Sequence, residues 1–215
     1  MAVHFGTYNS LLDYGLNYIH KKIPAPNPKT VTIDIPLRNG VLDLTNRLTG
    51  GTPVFGNRKL EFDFEMRGLR STWIKQWSTI AENLHGKTMQ VELDEDAGWY
   101  WEGLVSVDGL EDHGASAGLH ITVDAFPFKW STGLIEIGTY TLSGATTETF
   151  SISYPVALPV ITVAGTTQIT YNDEIFVASP SIKSPPGLYL KTGNSQSIVF
   201  DGTGACKFEY RGGIL

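Results

Sequence analysis

The sequence predicts a mainly β protein with two domains and a single helix in the first. Apolar and polar residues alternate with a period of two in many short runs along the 215 residues, as in strands with one buried face. Only residues 69–86 carry apolar side chains at helical spacing. All five tryptophans precede residue 131. This change in composition places a boundary at about residue 132, between domains 1–132 and 133–215.

The first domain is organised around residues 31–68, which begin with a predicted strand. Pro36 ends this strand because proline has no N–H to give to a ladder. A turn is predicted at Arg38-Asn39-Gly40, since Asn-Gly tolerates positive φ. The strand is expected to bury one face, formed by its alternating apolar residues Val31, Ile33 and Ile35.

A second strand is predicted near the end of the same stretch. Glu61, Asp63 and Glu65 face one way, and four apolar residues face the other: Leu60, Phe62, Phe64 and Met66. This apolar face needs a covering layer. Residues 43–58, between the two strands, are polar and Gly-rich. Their composition does not fit an unstructured linker, and the segment is too long for a hairpin turn.

Residues 1–28 are less regular. The first 22 residues mix apolar and polar side chains, which indicates a short strand or an irregular segment that packs on the rest. Ile23–Pro28 has proline at every second position and is predicted to be extended. It is either a rigid loop or an arm that reaches a neighbouring subunit.

Residues 69–86 are predicted to form the helix. Ser71 or Thr72 is a candidate N-cap, and Gly86 suits the left-handed position after the last turn. The helix is expected to pack on the apolar face of residues 60–66. Its tryptophans are then core residues rather than a ligand platform. The apolar stripe comprises Trp73, Trp77, Ile80, Ala81 and Leu84.

Strand patterns resume after the helix. A strand at 89–93 leads to an acidic turn, Asp94-Glu95-Asp96, and a strand from Trp99 to Val105 or Val107 follows. Residues 107–118 are predicted to form a second acidic, Gly-containing loop. The last strand of the domain buries Leu119, Ile121, Val123 and Ala125.

The second domain is predicted to be all β, as a small sandwich or jelly roll. Cys206 shares a face with Phe208 and Tyr210, so it is expected to be a small buried hydrophobe rather than a nucleophile. About seven short strands at intervals near 8–12 residues are expected: Thr149–Tyr154, Val160–Val163, Ile169–Tyr171, Glu174–Val177, Leu188–Lys191, Ser197–Phe200 and Ala205–Tyr210.

Composition and charge exclude several classes of function. A net charge of −6 argues against a nucleic-acid-binding surface, which needs clustered Lys and Arg. One cysteine excludes an intrachain disulfide framework and a Cys-based zinc site. No signal peptide is visible in MAVHFGTYNSLL, and no apolar run has the length of a membrane span. A soluble protein that folds in a cytoplasm is therefore expected, without membrane insertion.

Motifs for catalysis or metal binding are weak. Asp94-Glu95-Asp96 resembles the start of a calcium loop, but Val105 stands where the twelfth position requires Glu, so a solvated turn is expected. His113 follows two acidic residues without a nucleophile motif. No phosphate-binding loop follows a strand. We therefore predict no enzymatic activity, no cofactor, and no catalytic, cofactor-binding or metal-binding residues.

Glycan binding is the alternative function. Small β-sandwiches bind sugars by stacking aromatic rings on them, and Trp99-Tyr100-Trp101 could supply such rings. At most two of the three can face one surface, since successive residues of a strand alternate sides. The second domain contains no tryptophan. The competing interpretation is that these rings fill the core or an interface.

A series of segments resembles the distal tail proteins of siphophages, the long-tailed bacteriophages with non-contractile tails. In order, the segments are SLLDYGL, KTVTIDIPLRNGVLDLT, NRKLEFDFEM, LHGKTMQVELDEDAGWYWEGLV, ITVDAFPFKW and LYLKTGNSQSIVFDGTGACKFEYRGGIL. The series spans nearly the whole chain. The resemblance implies an N-terminal β-sandwich with one helix and a small C-terminal sandwich of galectin-like or carbohydrate-module-like type.

The resemblance also implies a structural role in the virion. The N-terminal domain would form a homo-oligomeric ring, most often a hexamer, at the tail tip or baseplate. This ring would join the tail tube protein to the tail-tip hub or fibre protein, and the C-terminal domain would lie outside, where a receptor-binding protein can dock. The family has no catalytic residues to carry over. The alternative within the same setting is a glycan-binding module of a phage adhesion device.

Overall fold

The computed structural model describes residues 1–37, 39–45 and 53–215. The chain divides into two compact units. The first contains Met1–Ala97, Trp101–Pro127 and Leu215, and the second contains Gly98–Tyr100 and Phe128–Ile214. Strands dominate both units, so the predicted mainly β class is confirmed. The assignment of separate roles to domains 1–132 and 133–215 stays a prediction.

Nine of the described strands lie wholly or mainly in the first unit. They are β1 (Val3–Phe5), β2 (Tyr8–Asn9), β3 (Leu16–Lys22), β4 (Thr32–Asp34), β5 (Val41–Asp43), β6 (Arg58–Met66), β7 (Thr88–Leu93), β8 (Trp99–Asp112) and β9 (Ala117–Ala125). Seven of them form one sheet with the order β2-β1-β7-β8-β9-β6-β3. The mixed pattern of residues 1–22 therefore corresponds to three short strands.

The apolar face of β6 lies at the centre of the first core. As predicted, its four alternating side chains are at most 1% exposed: Leu60, Phe62, Phe64 and Met66. The ring of Phe5 on β1 packs edge-on against Phe62 and Phe64, with centroid distances of 6.1 and 6.4 Å. Three strands separate β1 from β6 in the sheet order. The sheet must therefore curl around this core to bring the rings together.

One α-helix, α1 (Arg70–Leu84), is present in the described part of the chain and shares the core of β6. Gly86 has a φ of +75°, as predicted for the position after the last turn. The N-cap prediction is wrong, because Leu69 occupies that position and the Thr72 hydroxyl donates to the Leu69 carbonyl at 2.7 Å. The predicted stripe is confirmed, with Trp73, Ile80 and Leu84 buried and Trp77 and Ala81 partly buried against the core.

Strands β4 and β5 form a separate two-stranded ribbon. The predicted buried face of its first strand is wrong: Val31 and Ile33 are exposed and Ile35 is half-buried, since no other described strand pairs with the ribbon. Gly40 has a φ of +77°, in agreement with the predicted turn. Arg38 of that turn and residues 46–52 of the Gly-rich excursion lie outside the described residues.

The acidic turn after β7 is a single 3₁₀ turn, Asp94–Asp96. It is more than a solvated tip, because Asp94 accepts hydrogen bonds from the His4 ring at 2.8 Å and from the Ala2 amide at 2.6 Å. The bond from His4 and then the bond from Ala2 lower the pKa of the Asp94 carboxyl. The turn thus ties the N-terminal strand to the end of β7.

The predicted loop over residues 107–118 is wrong. Strand β8 continues to Asp112 and β9 begins at Ala117, so only residues 113–116 form the turn. A bulge between Val107 and Leu110 explains the error, because it interrupts the alternation by which a strand is recognised. The burial predicted for β9 is confirmed at Leu119, Ile121, Val123 and Ala125.

The second unit is all β but has fewer and longer strands than predicted. They are β10 (Lys129–Ser131), β11 (Ile135–Val163), β12 (Thr167–Tyr171), β13 (Glu174–Ala178) and β14 (Leu190–Ile214). Several predicted short runs are therefore parts of β11 and β14. Turn-type residues such as Gly144 and Gly204, both at positive φ, lie inside these strands rather than between them.

Strand β14 is the central element of the second unit. Phe208 pairs with Gly138 on one side and with Ile161 on the other, so two segments of β11 flank the same part of β14. Further along, Phe200 of β14 pairs with Ile169 of β12. The unit is therefore held by pairings between residues far apart in sequence.

Cys206 is buried in this second core, as predicted. Burial, assisted by the charge of Glu148, raises the pKa of its thiol to about 11. The thiol is therefore protonated at neutral pH. It packs as a small apolar side chain beside Phe208.

Trp73→Ala should lower the free energy of unfolding by about 3–5 kcal/mol, because it leaves a cavity where a buried indole packs. The exposed neighbour Ile74 provides the control, and Ile74→Ala should change stability by less than about 0.5 kcal/mol. Urea denaturation of both variants, followed by circular dichroism, measures the difference. A Trp73→Ala variant with wild-type stability would show that this side chain is not part of the core.

Asp94→Asn should destabilise the chain by less than about 1 kcal/mol at pH 7, because the turn is largely exposed. A lowered folded-state pKa contributes stability above the ordinary Asp pKa near 3.9, and this contribution is lost as the pH falls through the folded-state pKa. The difference from wild type should therefore disappear at acidic pH. Melting temperatures between pH 2.5 and 7 test this, with Asp34→Asn on the exposed ribbon as the control.

Candidate functional site

An arm projects from the first unit between β3 and β6. At its root, Pro28 bridges Phe55, the Lys29 amide donates to the Val54 carbonyl at 2.7 Å, and the Gly56 amide donates to the Asn27 carbonyl at 2.9 Å. The outgoing proline segment and the returning residues 54–56 thus run side by side. Sequence reasoning treated Ile23–Pro28 and residues 43–58 as separate features. The structure brings their ends together as two sides of one arm.

The β4–β5 ribbon forms the described outer part of this arm. Ile33 is opposite Leu42, and Asp34 is opposite Val41. The side chains of Ile33 and Val41 are 47% and 61% exposed, and Leu37 in the turn is fully exposed. A two-stranded ribbon is marginally stable in water when it has no covering layer. Its apolar side chains are therefore suited to contact with another surface.

Local hydrogen bonds hold the base of the ribbon. The Val31 amide donates to the Thr45 hydroxyl at 2.8 Å, and the Leu44 amide donates to the Val31 carbonyl at 2.9 Å. Asp43 accepts from the Thr45 amide at 2.8 Å. Hydrogen bonds from the hydroxyl and then the amide of Thr45 lower the pKa of the Asp43 carboxyl. The exposed apolar side chains are thus presented on a hydrogen-bonded backbone.

A second candidate surface is an open groove beside α1, with a volume of about 590 Å³. The bulge of β8 forms its far wall, and the Trp77 indole N–H donates to the Asp108 carbonyl at 2.8 Å. An ion pair between Arg70 and Asp112 joins the two walls at 2.5 Å. The groove suits an apolar side chain better than a reaction centre. Its lining residues are Arg70, Trp73, Ile74, Trp77, Gly109, Leu110 and Asp112.

The motifs weighed for metal binding or catalysis do not assemble into such a site. Among residues 1–37, 39–45 and 53–215, no three His, Cys, Asp or Glu side chains are placed to hold a metal ion. Asp94 is engaged by Ala2 and His4. The His113 ring lies exposed in the β8–β9 turn, with Nε2 at 3.7 Å from a Glu111 oxygen.

The candidate sugar platform at residues 99–101 is not exposed. Tyr100 and Trp101 are each 3% exposed, although they are adjacent in the strand. Trp99 is half-buried and contacts Tyr154 edge-on at a centroid distance of 6.4 Å. The three rings therefore serve packing rather than presenting a stacking surface to solvent.

A polar pocket of about 450 Å³ is present in the second unit. The residues that line it are Thr170, Asn172, Asp173, Ser195, Gln196, Ser197 and Val199. Asn172 and Asp173 form the tight turn between β12 and β13, and Ser195 is also at positive φ. This lining contains no aromatic ring on which a sugar could stack.

One cluster was missed from the sequence. On the outward face of β6 and its neighbours, Asp63 accepts a hydrogen bond from His120 at 2.6 Å and lies 3.3 Å from His20. The second ring nitrogen of His120 is 3.9 Å from Asp108. The sequence did contain a signal for this cluster, because the alternation in each strand places Asp63 and His120 on the outward face. These side chains are between 34% and 64% exposed, as on a solvated sheet surface whose polar side chains contact one another.

No helix in the described residues is long and apolar enough to span a membrane. No family model matches the sequence, and no curated protein matches it either. Among solved structures, the chain is similar to SPP1 Dit (gp 19.1), described as a paradigm of the hub adsorption apparatus in phages that infect Gram-positive bacteria. The TM-score is 0.60 at 11% sequence identity, and the match covers 100% of this chain and 99% of that chain. The predicted resemblance is thus confirmed at the level of the fold, and the chain has the fold of this phage hub protein over its whole length.

Proposed function

We propose that this chain is a structural subunit of a phage tail tip that assembles into a hub ring. The observation that carries the proposal is the likeness to SPP1 Dit, which extends over essentially all of both chains. A match to one unit alone would be weaker support, because single β-sandwich folds occur with many unrelated functions. A likeness that extends over essentially the full length of both chains narrows the range of candidate functions.

The arm supports self-association. Its ribbon exposes apolar residues while its root is fixed by backbone hydrogen bonds to its own chain. A contact between an arm and a different surface of the next copy is heterologous, and repetition of such a contact closes into a ring when the rotation allows. The groove beside α1 is one surface that an apolar side chain could fill. The proposed ring contains six copies.

In the proposed assembly, the ring lies between the tail tube protein and the tail-tip hub or fibre protein of a siphophage baseplate. The protein would assemble in the host cytoplasm and remain in the virion. Its role would be mechanical rather than catalytic. This agrees with the motifs, since the candidate base His113 has no nucleophile motif in the sequence.

The two units would have different roles in the proposed ring. The first carries the arm and the groove, both suited to contacts between copies. The second has a self-contained core built around Phe200, Phe208 and Cys206. It is therefore proposed to lie at the periphery of the ring and to offer a docking surface for a receptor-binding protein.

The wild-type chain should form closed rings at micromolar concentration. Val41→Lys should weaken association by at least about tenfold, because it places a charge on the exposed ribbon, where a neighbouring copy would bury it. Ile175→Lys makes the same change at an exposed site of the second unit and should leave association unchanged. Mass photometry with negative-stain microscopy measures both. A wild-type chain that stays monomeric, even with its tube protein, would exclude the ring.

A chain that ends at Ser131 should still form rings, since the proposed contacts lie in the first unit. Circular dichroism establishes whether the shortened chain is folded, and negative-stain images compare its assemblies with those of the full chain. A folded but monomeric shortened chain, beside a full chain that makes rings, would assign ring closure to the second unit instead.

A further inference from the structure

Arg58 is an exceptional charged residue in the first unit. It opens β6 and lies in the same alternation as Leu60 and Phe62, so its side chain is on the core side of the strand. The residue is only 6% exposed. Its guanidinium carbon lies 5.5 Å from the ring centroid of Trp101, within the range of a cation–π contact.

The buried guanidinium has no carboxylate partner among the described residues. Its Nε and Nη2 atoms are buried and make no hydrogen bond within the described part of the chain. Burial lowers the pKa of the Arg58 guanidinium, but an arginine remains charged in a protein. Arg38 and residues 46–52, which are not described, include no Asp or Glu in their sequence.

The other described arginines differ from Arg58. Arg67 pairs with Glu65 at 2.6 Å, and Arg70 pairs with Asp112 at 2.5 Å. Arg211 donates to the carbonyl oxygens of Ser131 and Thr132. Each of the other described arginines thus has an oxygen partner, and Arg58 is the exception among the described arginines.

A buried charge without a partner is strongly unfavourable, and a cation–π contact offsets only part of this penalty. The natural complement of a guanidinium is a carboxylate, because its planar fork of N–H groups matches the two oxygens. A carboxylate from another molecule would supply the complement that the described residues do not provide.

We propose that Arg58 is an anchor for a carboxylate side chain of a neighbouring copy of this chain. The inference rests on the proposed ring. The position of Arg58 identifies the source, because it follows directly on residues 54–56, the returning side of the arm root. A copy seated against the arm root is therefore the proposed source of the carboxylate. Each copy also has 22 Asp and Glu residues to offer.

Arg58→Met tests the anchor, since methionine keeps an unbranched apolar stem and removes the charge. Lys59→Met is the matched control, because it removes the same charge from the adjacent, exposed position. Sedimentation velocity over a concentration series measures association, and thermal unfolding at submicromolar concentration measures the stability of the dissociated chain.

Arg58→Met is expected to change association and the melting temperature of the dissociated chain in different ways. Association should weaken at least about tenfold, as for the loss of one partner of a buried charge pair. The melting temperature of the dissociated chain should stay the same or rise, because a desolvated charge is gone. Lys59→Met should change neither. A lower melting temperature with unchanged association would overturn the anchor and leave Arg58 a purely structural partner of Trp101.

Acetate provides a measurement that does not depend on the ring. At equal ionic strength, sodium acetate should raise the melting temperature of the dissociated wild-type chain relative to sodium chloride, and this difference should vanish in Arg58→Met. A wild-type chain that stays monomeric overturns the ring and, with it, the neighbouring copy as the source. If acetate also has no specific effect, Arg58 is not a carboxylate site at all.

Discussion

Burial of the apolar face of β6 is the constraint on which the first unit depends. Phe62 and Phe64 can leave water only if the sheet curls far enough to bring Phe5 of β1 against them. The helix then closes the remaining side with Trp73, Ile80 and Leu84. Each of these side chains is fully or almost fully buried, so the position of β6 determines where both β1 and α1 must lie.

Periodicity predicted the parts of this fold in which local pattern and burial agree. The alternation of β6 and β9 and the helical stripe of α1 all correspond to buried faces. Periodicity failed where the burial of a residue depends on packing partners elsewhere in the fold, which the local pattern does not specify. Val31 and Ile33 alternate as a buried strand does, but they lie on a ribbon with an open face. Residues 108–112 belong to β8, although a bulge hides their alternation.

The candidate assembly surfaces were only partly predictable for the same reason. The proline spacing indicated an extended segment, but nothing in the sequence pairs Pro28 with Phe55. In the sequence alone, Arg58 is indistinguishable from an ordinary charged residue at the start of a strand. Only the structure shows that alternation points it inward, over Trp101. The arm root and this buried cation are adjacent along the chain, which joins two observations that the sequence presents separately.

The central position of β14 has a consequence for the order in which the second unit can fold. The segments that pair with β14 begin at Ile135, yet Tyr210, the partner of Ile135, is synthesised about 75 residues later. The apolar residues of β11 therefore have no completed partner strand until the chain has been synthesised through Ile214. Pairings of such long sequence separation form slowly, and unpaired strands are prone to aggregate in the meantime. The second unit should thus be the part of the chain that benefits most from chaperones during synthesis, whereas the first unit has its described strands in place once residues 1–125 are made.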